Sequence, residues 1–200
     1  MKAIYERELK SYFYSMTGYV FIAFVTMFIG IYFMVYNMIN GYPYFSYTLS
    51  STLMILMIAV PILTMRSMSD ERRSRTDQML LTAPVSVWDI VLGKYLSMVT
   101  IFAIPMATAC LCPLIIKANG TAYLAEDYAS ILAFFLMGCV YIAIGLFISS
   151  LTESQLIAAA GTFGILLLLI LWPGLLNFLP TTAYGSLAGL LILWSLVCFI

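Results

Sequence analysis

The chain has 200 residues, of which 64% are hydrophobic and only 9% are charged, and its mean hydropathy is +1.04. A soluble core of this length does not need so much apolar surface, so the composition indicates an all-α integral membrane protein. The net charge of zero gives no reason to expect nucleic acid as a partner, and the absence of histidine removes imidazole as a catalytic base or metal ligand.

The N-terminal segment Lys2–Met16 carries apolar residues at helical spacing on one side and charged residues on the other. Glu6 and Lys10 lie four residues apart, an arrangement that supports a helix. The pattern predicts an amphipathic helix lying in the membrane interface, and the alternative is a plain helical extension of the first span. The apolar stripe consists of Tyr5, Leu9, Tyr12, Phe13 and Met16.

Six apolar runs approach or exceed the roughly 20 residues that a helix needs to cross the bilayer. They predict a single transmembrane domain over residues 1–200, built as a six-helix bundle. The last run is shorter than a full span and has no polar flank, so we expect the sequence to be a fragment whose sixth span is incomplete. The predicted spans are Tyr19–Ile39, Leu49–Met68, Tyr95–Ile116, Tyr128–Leu151, Leu156–Leu176 and Ser186–Ile200.

The fourth predicted span has a face of small residues, formed by Gly138, Gly145 and Ser149. Small residues let helix backbones approach closely, so this face is predicted to contact other spans. Prolines within the spans also indicate a packed bundle, because each leaves a carbonyl group that a neighbouring helix must satisfy. These prolines are Pro61, Pro105, Pro113 and Pro173.

The distribution of Lys and Arg predicts the orientation in the plasma membrane. Basic residues precede the first span and recur between the second and third, whereas only Lys117 falls in a loop on the other side. The N-terminus and Glu71–Val91 are therefore predicted to be cytoplasmic. The loops Asn40–Thr48, Lys117–Asp127 and Asn177–Gly185 are predicted to be external.

Between Met65 and Lys94 the chain carries nine of its 18 charged residues. Asp70 can cap a helix over Glu71–Leu81, which ends before Pro84 because proline disfavours helical geometry at the residue before it. A short helix with a polar side and an apolar tip fits a groove on a cytoplasmic partner. The alternative is a solvated loop that only follows the general preference for basic residues on the cytoplasmic side.

The spans lack the ionisable residues at depth that a proton- or sodium-coupled carrier needs, and they lack the paired polar groups of a membrane enzyme. The sequence has no G-x-x-x-x-G-K-[ST] phosphate loop, so uphill transport would need energy from a second polypeptide. The four cysteines lie within apolar runs, which argues against a disulfide or a metal site. We therefore expect this chain to bind no cofactor itself.

The stretch DERRSRTDQMLLTAPVSVWDIVLGK, at Asp70–Lys94, resembles the cytoplasmic signature of type-2 ABC transporter permeases. That signature reads roughly E-x-x-x-G-T-x-x-x-L-L-x-x-P-[VIL]-[ST]-x-x-x-x-[VIL]-x-G-K, and the chain departs from it at Arg75, where the family usually has glycine. The turn at Phe147–Gln155 and the N-terminal segment also resemble the family, most closely its gliding-motility-associated subgroup. The matching signature residues are Glu71, Thr76, Leu80, Leu81, Pro84, Val85, Ser86, Val91, Gly93 and Lys94.

The resemblance implies a six-span permease half of an exporter, which pairs with a second permease half as a homodimer or a heterodimer. It also implies a separately encoded ATPase that binds ATP and magnesium and docks on the short coupling helix between spans two and three. The alternatives are a non-transporting assembly or sensory subunit that docks a cytoplasmic partner, and a membrane enzyme. The residues implied in ATPase docking are Glu71, Arg72, Arg73, Thr76, Asp77, Leu80, Leu81 and Pro84.

The predicted topology can be tested with single cysteines in a variant that lacks the native cysteines. We expect a cysteine at Asn119, in the predicted external loop, to react with a membrane-impermeant thiol reagent in intact cells. A matched cysteine at Ser74, in the predicted cytoplasmic segment, should react only after the membrane has been opened. The reverse pattern at the two positions would show that the orientation is inverted.

Overall fold

The computed structural model describes residues 2–65, 67, 87–119 and 123–176. Their regular secondary structure is entirely helical, in agreement with the predicted all-α class. The predicted coupling helix Glu71–Leu81 and the predicted sixth span Ser186–Ile200 lie outside these residues. The helices are α1 (Lys2–Tyr14), α2 (Thr17–Phe33) with a π-helical end (Met34–Ile39), α3 (Ser46–Thr64), α4 (Val87–Ala109), α5 (Cys112–Asn119), α6 (Leu124–Leu151) and α7 (Gln155–Leu176).

Five helical stretches in the described part of the chain are long and apolar enough to cross a membrane, and they correspond to the first five predicted spans. The third predicted span, Tyr95–Ile116, contains a break, because α4 ends at Ala109 and α5 begins at Cys112. Pro113 occupies the first turn of α5, where its missing N–H removes no internal hydrogen bond. The five stretches are Thr17–Ile39, Ser46–Thr64, Trp88–Ala118, Leu124–Leu151 and Gln155–Trp172.

Helix α1 is not a continuous extension of the first span, because the helix is interrupted at Met16, which has a left-handed backbone conformation (φ 58°). Met16 is 75% exposed and so does not belong to the buried face of α1, whereas Tyr12 is buried. Helix α1 packs against α4 and α2, and the Tyr5 hydroxyl lies 3.0 Å from Thr100 Oγ1 in α4. Gly18 of α2 lies so close to α1 that an added Cβ would stand 3.0 Å from the Tyr12 carbonyl oxygen.

Helices α2, α3, α4 and α6 enclose an apolar core, in which α2 and α6 each contact both α3 and α4. The fully buried ring of Phe102 in α4 stacks on Phe135 of α6 at 5.7 Å and meets Phe21 of α2 edge-on at 6.5 Å. Within the described residues, residues 164–176 of α7 belong to a second compact unit. Other buried core residues are Val25, Ile29, Leu56, Val60, Met98 and Ile142.

The predicted small-residue face of the fourth span is confirmed in α6. Gly138 is buried against the ring of Phe102. Gly145 is buried against Thr64 of α3, whose Oγ1 would lie 2.5 Å from an added Cβ. Ser149 continues the same face and is fully buried. These residues let α6 approach both α3 and α4 closely.

We expect Gly138→Ala and Gly145→Ala each to destabilise the bundle by about 1–3 kcal/mol, the usual cost of overpacking a tight core. At position 138 the new Cβ would enter the space of the Phe102 ring, which is held by its stacking on Phe135. Gly30→Ala is the matched control, because an added Cβ there has nothing within 4 Å. Thermal unfolding of the purified variants in one detergent measures the effect, and equal unfolding temperatures for all three variants and the parent would contradict this packing.

Candidate functional site

The residues predicted to dock an ATPase lie outside the described part of the chain. They are Glu71, Arg72, Arg73, Thr76, Asp77, Leu80, Leu81 and Pro84. The structure does describe where both ends of their segment attach, since Ser67 follows the end of α3 and α4 begins at Val87. These two attachments determine which helices a force on the segment can move.

The C-terminal end of α3 presents carbonyl groups that the helix itself does not satisfy. Two carbonyls accept main-chain bonds: the Met65 amide donates to the Pro61 oxygen at 2.9 Å, and the Ser67 amide donates to the Thr64 oxygen at 3.1 Å. The second of these bonds closes the turn that ends the helix. Three other carbonyls, of Leu63, Met65 and Ser67, accept bonds from side chains of neighbouring helices.

The shortest of these three bonds comes from Lys94 of α4, whose ammonium donates to the Ser67 carbonyl oxygen at 2.7 Å. Lys94 is only 1% exposed, and burying a charge is costly unless hydrogen bonds replace the lost water. A cation is favourable at this place, because the helix dipole leaves partial negative charge at the C-terminal end of α3. Lys94 therefore joins α4 to the end of α3, across the base of the charged segment.

Two weaker bonds hold the same end of α3 from other helices. The Tyr12 hydroxyl of α1 donates to the Leu63 oxygen, and the Ser149 hydroxyl of α6 donates to the Met65 oxygen, each at 3.5 Å. Side chains from α1, α4 and α6 thus surround the place where the charged segment leaves the bundle. We call this place the α3 exit, and it consists of the side chains of Tyr12, Lys94 and Ser149 and the carbonyls of Leu63, Met65 and Ser67.

The predicted N-terminal helix contributes to the α3 exit through its apolar stripe, of which Tyr12 is the buried member. Gly93 of α4 allows α1 to come so close, since a Cβ there would lie 3.1 Å from Ile4 Cγ2. Two adjacent signature residues therefore have different structural roles: Gly93 admits α1, and Lys94 holds α3. Half-buried members of the stripe are Tyr5, Leu9 and Phe13.

A second polar cluster lies at the opposite end of α3 and was not predicted from the sequence. Asp127, in the first turn of α6, is 1% exposed, and its Oδ1 accepts the Phe45 amide at 2.8 Å. Asn37, in the π-helical end of α2, donates to the carbonyl oxygens of Tyr42 at 2.8 Å and Tyr44 at 3.2 Å. Local sequence patterns give no signal for the first of these bonds, because its partners are 82 residues apart.

The loop before α3 is held from several sides. Thr48 Oγ1 in the first turn of α3 donates to Asn37 Oδ1 at 2.7 Å. Tyr44 stacks on Tyr123 with ring centroids 5.1 Å apart and an interplanar angle of 12°. Partial desolvation raises the pKa of Tyr44, and Tyr123 and Glu126 act in the same direction. The loop is thus fixed to α2, α3 and the start of α6.

The polar side chains at the two ends of α3 bond mainly to main-chain groups. In the part of the chain that the structure describes, no group of three or more His, Cys, Asp or Glu side chains could hold a metal ion. The side chains of the α3 exit bond to main-chain carbonyls of α3 and the turn after it. Such an arrangement positions the end of a helix.

A family model described as ABC-2 family transporter protein matches residues 40–199 of the chain. The match includes α3, the charged segment, α4 and α6, and does not single out the gliding-motility-associated subgroup. No curated protein and no solved structure shows significant similarity to the chain. Together with the five apolar helices, the family match identifies a multi-pass membrane protein. Because the model covers residues 40–199 of 200, the chain belongs to the ABC-2 family of transporter proteins.

Proposed function

We propose that this chain is the permease subunit of an ATP-driven exporter and has no ATPase site of its own. Membership of the ABC-2 family implies an ABC ATPase partner and a membrane setting in general. The proposal adds that the ATPase, which binds ATP and magnesium, docks on the segment between α3 and α4. It also adds that a second permease subunit completes the path, and that the N-terminus faces the cytoplasm at the plasma membrane.

The observation that carries this proposal is the bond between Lys94 and Ser67. It joins residues that are 27 positions apart in the sequence, and the predicted docking residues lie between them. A force on the segment reaches α3 and α4 through the chain itself, and this bond couples the two helices to each other. Hydrogen bonds from charged donors are stronger than neutral ones, so this bond suits the transmission of a force.

The segment itself has the residues needed to bind a folded partner. Arg72 and Arg73 can pair with carboxylates on the ATPase, and Leu80 and Leu81 can fill an apolar groove. The predicted helix Glu71–Leu81 is short, and a rigid short helix transmits a displacement that a disordered loop would absorb. These properties agree with docking and are not needed for a loop that only orients the chain in the membrane.

We include α1 in the proposal as an interfacial helix that steadies the α3 exit. Its exposed side carries Glu6, Arg7 and Lys10, whereas Tyr12 packs inward at the exit. Trp88, at the start of α4, is 76% exposed, and an exposed indole suits the headgroup level of a membrane. A polar outer side and an apolar inner side are the features expected of a helix at the membrane surface.

We expect two paired substitutions to weaken ATPase docking without preventing membrane insertion, since none of the four positions lies in a predicted span. Arg72→Glu with Arg73→Glu leaves carboxylates of the partner facing like charge, and breaking a buried charge pair costs about 2–5 kcal/mol. Leu80→Ser with Leu81→Ser removes the apolar contact. The permease is purified in mild detergent with the ABC ATPase encoded beside it, and the ATPase retained per permease chain is measured.

Lys117→Glu is the matched control for charge reversal, because Lys117 is exposed at the end of α5, away from the docking segment. Membrane abundance of each variant shows whether insertion is intact. The proposal is wrong if no ABC ATPase co-purifies with the parent chain. It is also wrong if both paired variants insert normally and retain as much ATPase as the parent and the control.

A further inference from the structure

Helix α3 is held at both ends by charged side chains of other helices. At its start, the amide of Phe45 donates to the Asp127 carboxylate of α6 at 2.8 Å. Just beyond its end, the Lys94 ammonium of α4 donates to the Ser67 carbonyl at 2.7 Å. We call these two bonds the end clamps of α3. In both clamps the group on the α3 side belongs to the main chain, and the side chain comes from another helix.

The end clamps place an acidic residue at the N-terminal end of α3 and a basic residue at its C-terminal end, the order that the helix dipole favours. Each charged residue is 1% exposed, although buried ions usually add little stability compared with well-packed apolar residues. Asp127 Oδ2 has no hydrogen-bond partner within the described residues, which makes this clamp costly to maintain. The two bonds fix the ends of α3 to α6 and to α4.

Between the end clamps, α3 is one continuous helix with one side buried and the other exposed. It has 19 residues and is about 28 Å long at 1.5 Å per residue, close to the thickness of the hydrocarbon core. It is the most buried of the described spans. Pro61 removes one internal hydrogen bond near the C-terminal end, and the side chains of the α3 exit hold that turn in place.

We propose that α3 is the element that carries the displacement of the docking segment to the opposite end of the bundle. This inference rests on the proposed function, because the displacement comes from the ATPase. The Lys94 clamp makes the end of α3 and α4 move together at the base of the docking segment. The Asp127 clamp transmits that movement to α6 and to the loop before α3. Lys94 and Asp127 are thus positioning residues for transport.

Two static helix caps would also stabilise the protein, so the test must report a change that depends on nucleotide. The Phe45 amide is a direct reporter, because its exchange with solvent requires the bond to Asp127 to open. If the bond is purely structural, the Phe45 amide exchanges at the same rate with and without ATP. A transmitting role makes the exchange depend on the state of the ATPase.

The permease–ATPase complex is reconstituted in lipid nanodiscs, and hydrogen–deuterium exchange is followed in the peptide that contains Phe45. We expect the exchange rate to differ between the nucleotide-free complex and the complex trapped with ATP and vanadate. Lys94→Met should abolish this difference while the ATPase stays bound, whereas Lys94→Arg keeps a cationic donor and should preserve it. Ser97→Ala is the matched control, since Ser97 is buried on α4 and its hydroxyl bonds the Lys94 carbonyl within the same helix.

Substitutions at Asp127 provide a second, independent part of the experiment. Asp127→Leu should speed exchange at Phe45 in both states and leave no nucleotide-dependent difference, whereas Asp127→Asn keeps an acceptor oxygen and should retain the difference. Equal exchange in both states of the parent complex, with the ATPase bound, would overturn the inference and leave the docking proposal intact. A full difference in Lys94→Met or Asp127→Leu would also overturn it, and failure of any ATPase to bind would overturn both proposals. The comparison of the two nucleotide states in the parent complex needs no substitution, so it tests the inference even if a variant fails to fold.

Discussion

The bond between the Lys94 ammonium and the Ser67 carbonyl is the contact on which the arrangement at the end of α3 depends. A cation removed from water must find acceptors, and the end of a helix offers carbonyls without internal partners. The bond from Lys94 satisfies both the cation and the carbonyl, and it holds α4 against the end of α3. Tyr12 and Ser149 hold α1 and α6 at the same place. The charged segment therefore leaves the bundle from a helix end that three other helices hold.

Small residues make this arrangement possible, because side-chain hydroxyls reach carbonyls of another helix only when the helices lie close together. Gly93 lets α1 rest on α4, and Gly145 lets α6 lie against Thr64 near the α3 exit. The same approach of α6 to α3 allows Asp127 to accept the Phe45 amide at the opposite end. Close packing and the end clamps therefore depend on each other: the glycines set the spacing, and the polar bonds fix the ends of α3.

The features that the sequence predicted well are properties of single helices. Hydropathy located the first five spans, and the spacing of small residues identified the packed face of α6. A helix does cover the N-terminal segment, but its place in the membrane interface stays a prediction. Met16 was wrongly assigned to its apolar stripe, because periodicity does not reveal a backbone turn. Lys94 was counted among the basic residues between the second and third spans and its burial was missed, since the orientation rule assumes solvated charges. The Asp127 bond was missed because its partners are 82 residues apart, and the docking helix and the sixth span stay predictions.

The central claim is that a force on the docking segment reaches the opposite end of the bundle through α3. Spin labels at Ser50 of α3 and Ser130 of α6 test it most directly, because both residues line a groove between these helices towards the Asp127 end. In a permease–ATPase complex without native cysteines, we expect the distance distribution between the labels to shift when ATP binds. Identical distributions in the nucleotide-free and ATP-bound complexes, with ATP hydrolysis intact, would contradict the claim.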